Sequence, residues 1–221
     1  MQKEGVDFFD TYAPVVQWST IRLLLSTGLT EGWATRQVDY TNAFAQANLN
    51  EEVYLEFPKM FAPKSRSNVV LKLVKSLYGL RQAPRTFFEK LRDGLLERGY
   101  IQSKNDPCLF MKDGILCVVY VDDTIFAGAD TSVLENEIRA LGASDTEQRH
   151  SFQLRNEGEV GAFLGIQITK TGKKRTFSLL QTGLISKVLI TANMADCNGV
   201  STPTGNSPVG SDVDGAPFAE T

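Results

Sequence analysis

The sequence predicts an α+β fold built around an antiparallel sheet, and three observations predict it. Short strand-like runs are punctuated by prolines, glycines and acidic turns, which suits hairpins better than long crossovers. Two amphipathic helix patterns stand among them, one around Phe87–Leu95 and one around Leu134–Leu141. Residues 115–121 are apolar on both alternating faces, meet Asp122 and Asp123, and resume as an apolar run to Gly128. A run of that kind suits a central strand covered on both sides.

Taken in order, Ser19 reads as the N-cap of a helix carrying Ile21, Leu24, Leu25 and Leu29 and stopping near Gly32. Thr35–Tyr40 reads as a strand that brings Asp39 to its end. Residues 53–57 alternate and stop at Pro58, giving a second strand, and 69–74 a third. Pro84 opens a helix with Phe87, Phe88, Leu91 and Leu95 on one face and Gly99 beyond its end. Asp113-Gly114 is a tight-hairpin signal leading into residues 115–121. Ser132 to Glu135 has the wording of a capping box for a helix whose inner face is Leu134, Ile138 and Leu141. Residues 163–169 and 176–179 form a hairpin, and Leu184, Ile185, Val188 and Leu189 mark a short helix. From Thr202 onward Pro203, Pro208 and Pro217 predict a disordered tail or linker over 202–221, leaving 1–201 as a single folded unit.

Composition narrows the chemistry. Three cysteines without CxxC spacing argue against a disulfide framework or a zinc site and fit a reducing compartment. The single histidine, His150, lies in a polar run and reads as a solvated loop residue. No apolar run approaches the roughly 18 residues of a membrane span. The formal net charge is −3, yet residues 59–98 hold ten basic and three acidic side chains. That basic stretch on an otherwise acidic chain is the footprint of a surface that follows phosphates, or else a solvated helix face.

The aspartate pair is the costliest feature. Like charges at the tip of an apolar hairpin repel, and a partly buried pair stays ionised only beside a compensating positive charge. A divalent cation supplies that charge, because hard cations take several oxygen ligands. Asp-Asp by itself also fits plain turn chemistry. Two more segments bear on the choice: Asp39-Tyr40-Thr41-Asn42-Ala43-Phe44, and Ser76-Leu77-Tyr78-Gly79-Leu80-Arg81-Gln82-Ala83-Pro84.

With Tyr120-Val121-Asp122-Asp123, these segments resemble, in order and spacing, the reverse transcriptase of copia-type LTR retrotransposons. Further wording supports the likeness: residues 2–7 at the start, Asp106-Pro107-Cys108-Leu109, Phe163-Leu164-Gly165-Ile166 and Ser201-Thr202-Pro203. The resemblance implies a right-hand polymerase palm with an antiparallel sheet and helices on one face, plus partial fingers and the start of a thumb. It implies RNA-directed DNA polymerisation by a two-metal mechanism. Asp39 and Asp122 would be the principal Mg²⁺ ligands and Asp123 a supporting one, with two ions and Mn²⁺ as a substitute.

The resemblance also places Phe44 under the incoming sugar, where a ring excludes a 2′-hydroxyl; a plain core aromatic is the other reading. Gly79 lets the backbone approach the nascent base pair, Tyr78 stacks on template or nucleotide, and Arg81 and Arg85 face phosphates. Tyr120, Leu164 and Gly165 fall at the template–primer, the last two in a turn that also reads as an ordinary hairpin. Arg155 matches a basic residue associated with pyrophosphate. Implied partners are an RNA or DNA template with its primer, dNTPs, and the RNase H and integrase segments of a Pol polyprotein. The implied setting is the cytoplasm, or a virus-like particle if the element is active, with no membrane. The family's Lys-Ala-Arg segment, associated with the triphosphate, is not in the sequence. The expectation is therefore a fingers–palm core cut from a polyprotein, or an inactive relic that keeps only the fold and nucleic-acid binding.

Overall fold

The computed structural model describes residues 2–57, 69–142, 150–171 and 176–200. The chain divides into two compact units, Met1–Leu180 and Gln181–Thr221, so the division falls ahead of the boundary expected at 201. The expected tail over 202–221 lies outside the described residues.

In the first unit, helix α1 (Trp18–Glu31) leads into strand β1 (Ala34–Tyr40), the single turn α2 (Ala43–Gln46) and strands β2 (Tyr54–Glu56) and β3 (Val70–Lys72). Helix α3 (Ala83–Glu97) precedes β4 (Ile101–Gln102), β5 (Leu109–Lys112), β6 (Ile115–Tyr120) and β7 (Asp123–Gly128). Helix α4 (Thr131–Gly142) then precedes β8 (Leu154–Gly158), β9 (Ala162–Phe163), β10 (Ile166–Thr171) and β11 (Thr176–Leu180). The second unit contributes α5 (Thr182–Thr191), none of whose side chains is buried.

The described strands pair antiparallel in a six-stranded sheet ordered β4-β5-β6-β7-β1-β8, a three-stranded sheet β11-β10-β9 and the pair β2-β3. Val118, Val119, Ile125, Phe126 and Ala127 are all 0–1% exposed, so β6 and β7 are covered on both faces as their apolar runs require. Helices supply both covers, which corrects the expectation of helices on one face. Tyr40 meets Phe87 of α3 at 5.4 Å between ring centroids, and Arg36 bonds Glu135 of α4 at 2.9 Å, so these helices lie on the side of Arg36, Val38 and Tyr40. Helix α1 packs on β6 and β7, with Gly28 beside Thr35, and covers the other side at the start of β1.

Local chemistry departs from the expected caps at two helices. Gln17, not Ser19, is the N-cap of α1, while Gly32 closes the helix at φ +70° as glycine allows. At α4 the Asp130 carboxylate, not Ser132, accepts from the backbone N–H groups of Ser132 (2.7 Å) and Val133 (3.3 Å). The run 163–169 is broken by a turn at Leu164 and Gly165 into β9 and β10. His150 is no solvated loop residue: its Nδ1 lies 2.7 Å from Glu97 Oε2. Cys108, Cys117 and Cys197 are all free, and burial pushes the Cys108 thiol up to about 12.

Candidate active site

Antiparallel pairing builds the site. Asp39 on β1 is the cross-strand partner of Asp123 on β7, and the Tyr40 N–H donates to the Asp122 carbonyl at 3.4 Å. Directly paired residues in such a ladder have Cα atoms about 4.5–5.5 Å apart with side chains on one face. Carboxylates separated by 84 positions in sequence are thus brought side by side. Tyr120 pairs with Asp123 across the β6–β7 hairpin, so Val121 and Asp122 form a two-residue turn. Val121 takes φ +53°, a left-handed conformation that costs a β-branched residue on the order of 1–3 kcal/mol. Strain at the residue next to the aspartates belongs to the hairpin's geometry.

All three aspartates are half-buried. Burial, then the charges of Asp122 and Asp39, hold the Asp123 carboxyl above the usual carboxylate range, partly offset by a hydrogen bond from Gln37. Among the described residues no group of three or more His, Cys, Asp or Glu is drawn together as a formed metal site. The donor set still suits a hard divalent cation: oxygen ligands only, with negative charge accumulated on a half-buried carboxyl.

The glycine loop joins the same place. The Tyr78 ring meets that of Phe44 at 4.4 Å between centroids, tilted by 40°. Partial burial, then the charges of Asp122 and Asp39, push the Tyr78 phenol up, while the Ala43 N–H at its hydroxyl pulls it down. Phe44 is half-buried and also touches Phe87 at 6.3 Å, so its two readings, packing and sugar contact, are not exclusive. Gly79 takes φ +100°, which explains glycine there on conformation alone. A cleft of about 440 Å³ runs beside Tyr78, Gly79 and Arg81, walled by Val53 and Leu55.

The β9–β10 turn reaches the site through Phe163, whose ring lies 6.4 Å from that of Tyr120. Leu164 (φ +51°) and Gly165 (φ +75°) form this turn. Arg155 on β8 is the cross-strand partner of Asp39 on its other side, and its guanidinium bonds Glu157 at 2.5 Å.

The basic stretch is less available than its charge suggests. Arg85 bonds Asp10 (3.0 Å) and Glu89 (2.9 Å), Arg92 bonds Asp93 and Lys72 bonds Glu52. The Arg81 guanidinium sits 5.5 Å over the Phe8 ring. Arg98 donates to the carbonyls of Gly94, Ala140 and His150. Lys59, Lys64 and Arg66 lie outside the described residues. Sequence reasoning passed over Gln37, although it precedes Asp39 by two positions on a strand and so shares its face.

Residues 1–206 match the family described as reverse transcriptase (RNA-dependent DNA polymerase). The chain is 37% identical over 213 residues to the retrovirus-related Pol polyprotein from transposon RE1 of Arabidopsis thaliana, covering 94% of this chain and 14% of that protein. It is 35% identical over 211 residues to the corresponding polyprotein from transposon RE2 of the same plant, with the same 94% and 14% coverage. Identity to the polyprotein from transposon TNT 1-94 of Nicotiana tabacum is 33% over 207 residues, 91% of this chain and 15% of that one. The chain thus spans 14–15% of the length of these relatives. With the family match over nearly its whole length, the chain belongs to the reverse transcriptase family of copia-type Pol polyproteins.

Proposed function

We propose that the chain is an RNA-directed DNA polymerase, a nucleotidyltransferase that adds dNTPs to a primer, with the six-stranded sheet as its palm. In that reading β2 and β3 belong to the fingers and the residues after β11 begin the thumb. The observation that carries it is the β1–β7 register, which sets Asp39 opposite Asp123 and beside Asp122, in a member of this family.

Asp39, Asp122 and Asp123 would hold Mg²⁺, with Mn²⁺ as a substitute, and the bound ions would stabilise the attacking and leaving oxygens of an in-line displacement. The residues of the chain do the rest. Phe44, held by Tyr78 and Phe87, lies beneath the sugar and excludes a 2′-hydroxyl. Tyr78 and Gly79 bound the base pair, and Arg81, whose guanidinium is exposed above Phe8, faces the triphosphate. Tyr120, with Leu164 and Gly165 behind Phe163, supports the primer end. Arg85 reaches template only by giving up Asp10 or Glu89. Arg155, the cross-strand partner of Asp39 on β8, would act on departing pyrophosphate after giving up Glu157.

Template with primer, dNTPs and the RNase H and integrase segments are the partners this reading requires, in the cytoplasm or a virus-like particle. Among the described residues no helix is long and apolar enough to cross a membrane.

Primer extension on poly(rA)/oligo(dT) with Mg²⁺ tests the proposal. The chain is expected to incorporate dTTP, and Asp122→Asn to lose incorporation by at least two orders of magnitude, since an electrostatic group acting on the transition state is worth about 3–4 kcal/mol. Equal incorporation by both proteins would leave a relic that keeps only the fold and nucleic-acid binding.

A further inference from the structure

A cleft of about 390 Å³ opens beside α2 and α3, lined by Thr41, Asn42, Gln46, Lys75, Lys90 and Gln153 among others. It lies across β1 from Asp39. Its floor includes Phe152, whose ring meets Tyr40, and Tyr40 points to the opposite face from the residue before it. Among the described residues no carboxylate lines the cleft.

Its two lysines are held differently. The Lys90 ammonium donates to the Gln46 carbonyl at 2.8 Å and sits 5.1 Å over the Phe152 ring. Lys75 is exposed at the rim. Burial, and then the charge of Lys75, push the Lys90 ammonium below its ordinary value. Neither lysine is in an ion pair among the described residues.

Acidic groups are close at hand but already engaged. Glu89 and Asp93 line an adjoining cleft that shares Gln46, Lys75 and Lys90. Glu89 bonds Arg85 at 2.9 Å, Asp93 bonds Arg92 at 2.7 Å, and His150 in the same cleft bonds Glu97. The fold therefore neutralises most of its nearby cations and leaves two ammonium groups facing one polar cleft. Gln46 fixes the wall by donating to the Thr41 and Gln153 carbonyls (2.7 and 2.8 Å) and accepting from the Gln153 N–H. Two uncompensated ammonium groups in a rigid polar concavity suit a compact multivalent oxyanion, and Lys serves as a point charge for phosphate.

We propose that this cleft is a phosphate-binding site, separate from the aspartates, that takes either a backbone phosphate of a single-stranded nucleic acid or a free phosphate ion. The single-strand source rests on the polymerase reading above; the free ion does not.

Two measurements on the full chain test it. In the first, lysines are ¹³C-methylated and inorganic phosphate is titrated in; the Lys75 and Lys90 signals, assigned with Lys75→Gln and Lys90→Gln, are expected to shift saturably. In the second, binding of a fluorescein-labelled oligo(dA) is followed by anisotropy across a salt series. The Lys75→Gln/Lys90→Gln variant is expected to lower the slope of log K against log salt by about 0.7, the value of one single-strand phosphate contact. The exposed single variant Lys75→Gln, with unchanged circular dichroism melting, should lower it by about half that amount.

A lowered slope identifies the strand as the source; shifted signals with an unchanged slope identify the free ion. Unmoved signals together with an unchanged slope overturn the proposal. The phosphate titration uses no nucleic acid and the polymerase reading is tested separately by primer extension, so a failed cleft and a failed polymerase reading are told apart.

Discussion

Half-burial and the charges of Asp122 and Asp39 give Asp123 a raised pKa, so the folded chain binds that proton more tightly than the unfolded one. Stability then falls as pH rises from the ordinary carboxylate value through the folded one. Asp123→Asn is expected to melt above wild type near neutral pH and to converge with it below about pH 3.9, where both states are protonated. Thermal melting across a pH series checks this, and Mg²⁺ should raise the wild-type midpoint more than that of the variant. Phe44 offers a second residue-scale test. Phe44→Val should keep dNTP incorporation and gain rNTP incorporation by about one to two orders of magnitude, for a clash worth roughly 1–3 kcal/mol. An unchanged dNTP-to-rNTP ratio with a lowered melting temperature would assign the ring to packing alone. At this scale the sequence was legible where a motif crowds charges, as at Asp122 and Asp123. It was not legible at His150, nor in full at Arg85: Glu89 is an i,i+4 neighbour on the helix, but Glu97 and Asp10 are brought to their partners by the fold.

Elements obeyed their periodicity and disobeyed their expected caps. The inner faces of α3 and α4 are the residues that helical spacing selects: Phe87, Phe88, Leu91 and Leu95, then Leu134, Ile138 and Leu141. Ser132 lost its cap to Asp130 because the carboxylate two residues earlier reaches the N–H groups of Ser132 and Val133 with a full charge, so the helix begins ahead of Ser132. Gly94 was silent in the sequence and is decisive in α3. A Cβ there would lie 2.7 Å from Phe152 Cε2 and 2.9 Å from Cζ. Phe152 is 2% exposed and wedged against Tyr40 and Phe87, so its ring has no room to retreat. Gly94→Ala is therefore expected to destabilise the chain by about 1–3 kcal/mol through overpacking, against the roughly 1 kcal/mol that alanine gains in a helix. Urea unfolding measures the difference, and a stabilised variant would show that Phe152 yields.

Across the whole molecule, the antiparallel sheet was legible because its hairpins are local: Asp113 (φ +44°) and Gly114 (φ +79°) turn β5 into β6, and Val121-Asp122 turn β6 into β7. Periodicity says only that a strand is covered, so the helices on both faces of the sheet were not foreseen. The placement of β1 was beyond local rules too, since both its neighbours, β7 and β8, come from far later in the chain. That placement has a consequence in time. At a synthesis rate of about 5–20 residues per second, β1 waits on the order of ten seconds between its own emergence and that of β8. Asp39 has no partner until β7 emerges, and the second edge of its strand stays open until β8. The aspartate site therefore comes into being only as β1 joins the β6–β7 hairpin, long after its own synthesis, and competence should return on refolding with that non-local step.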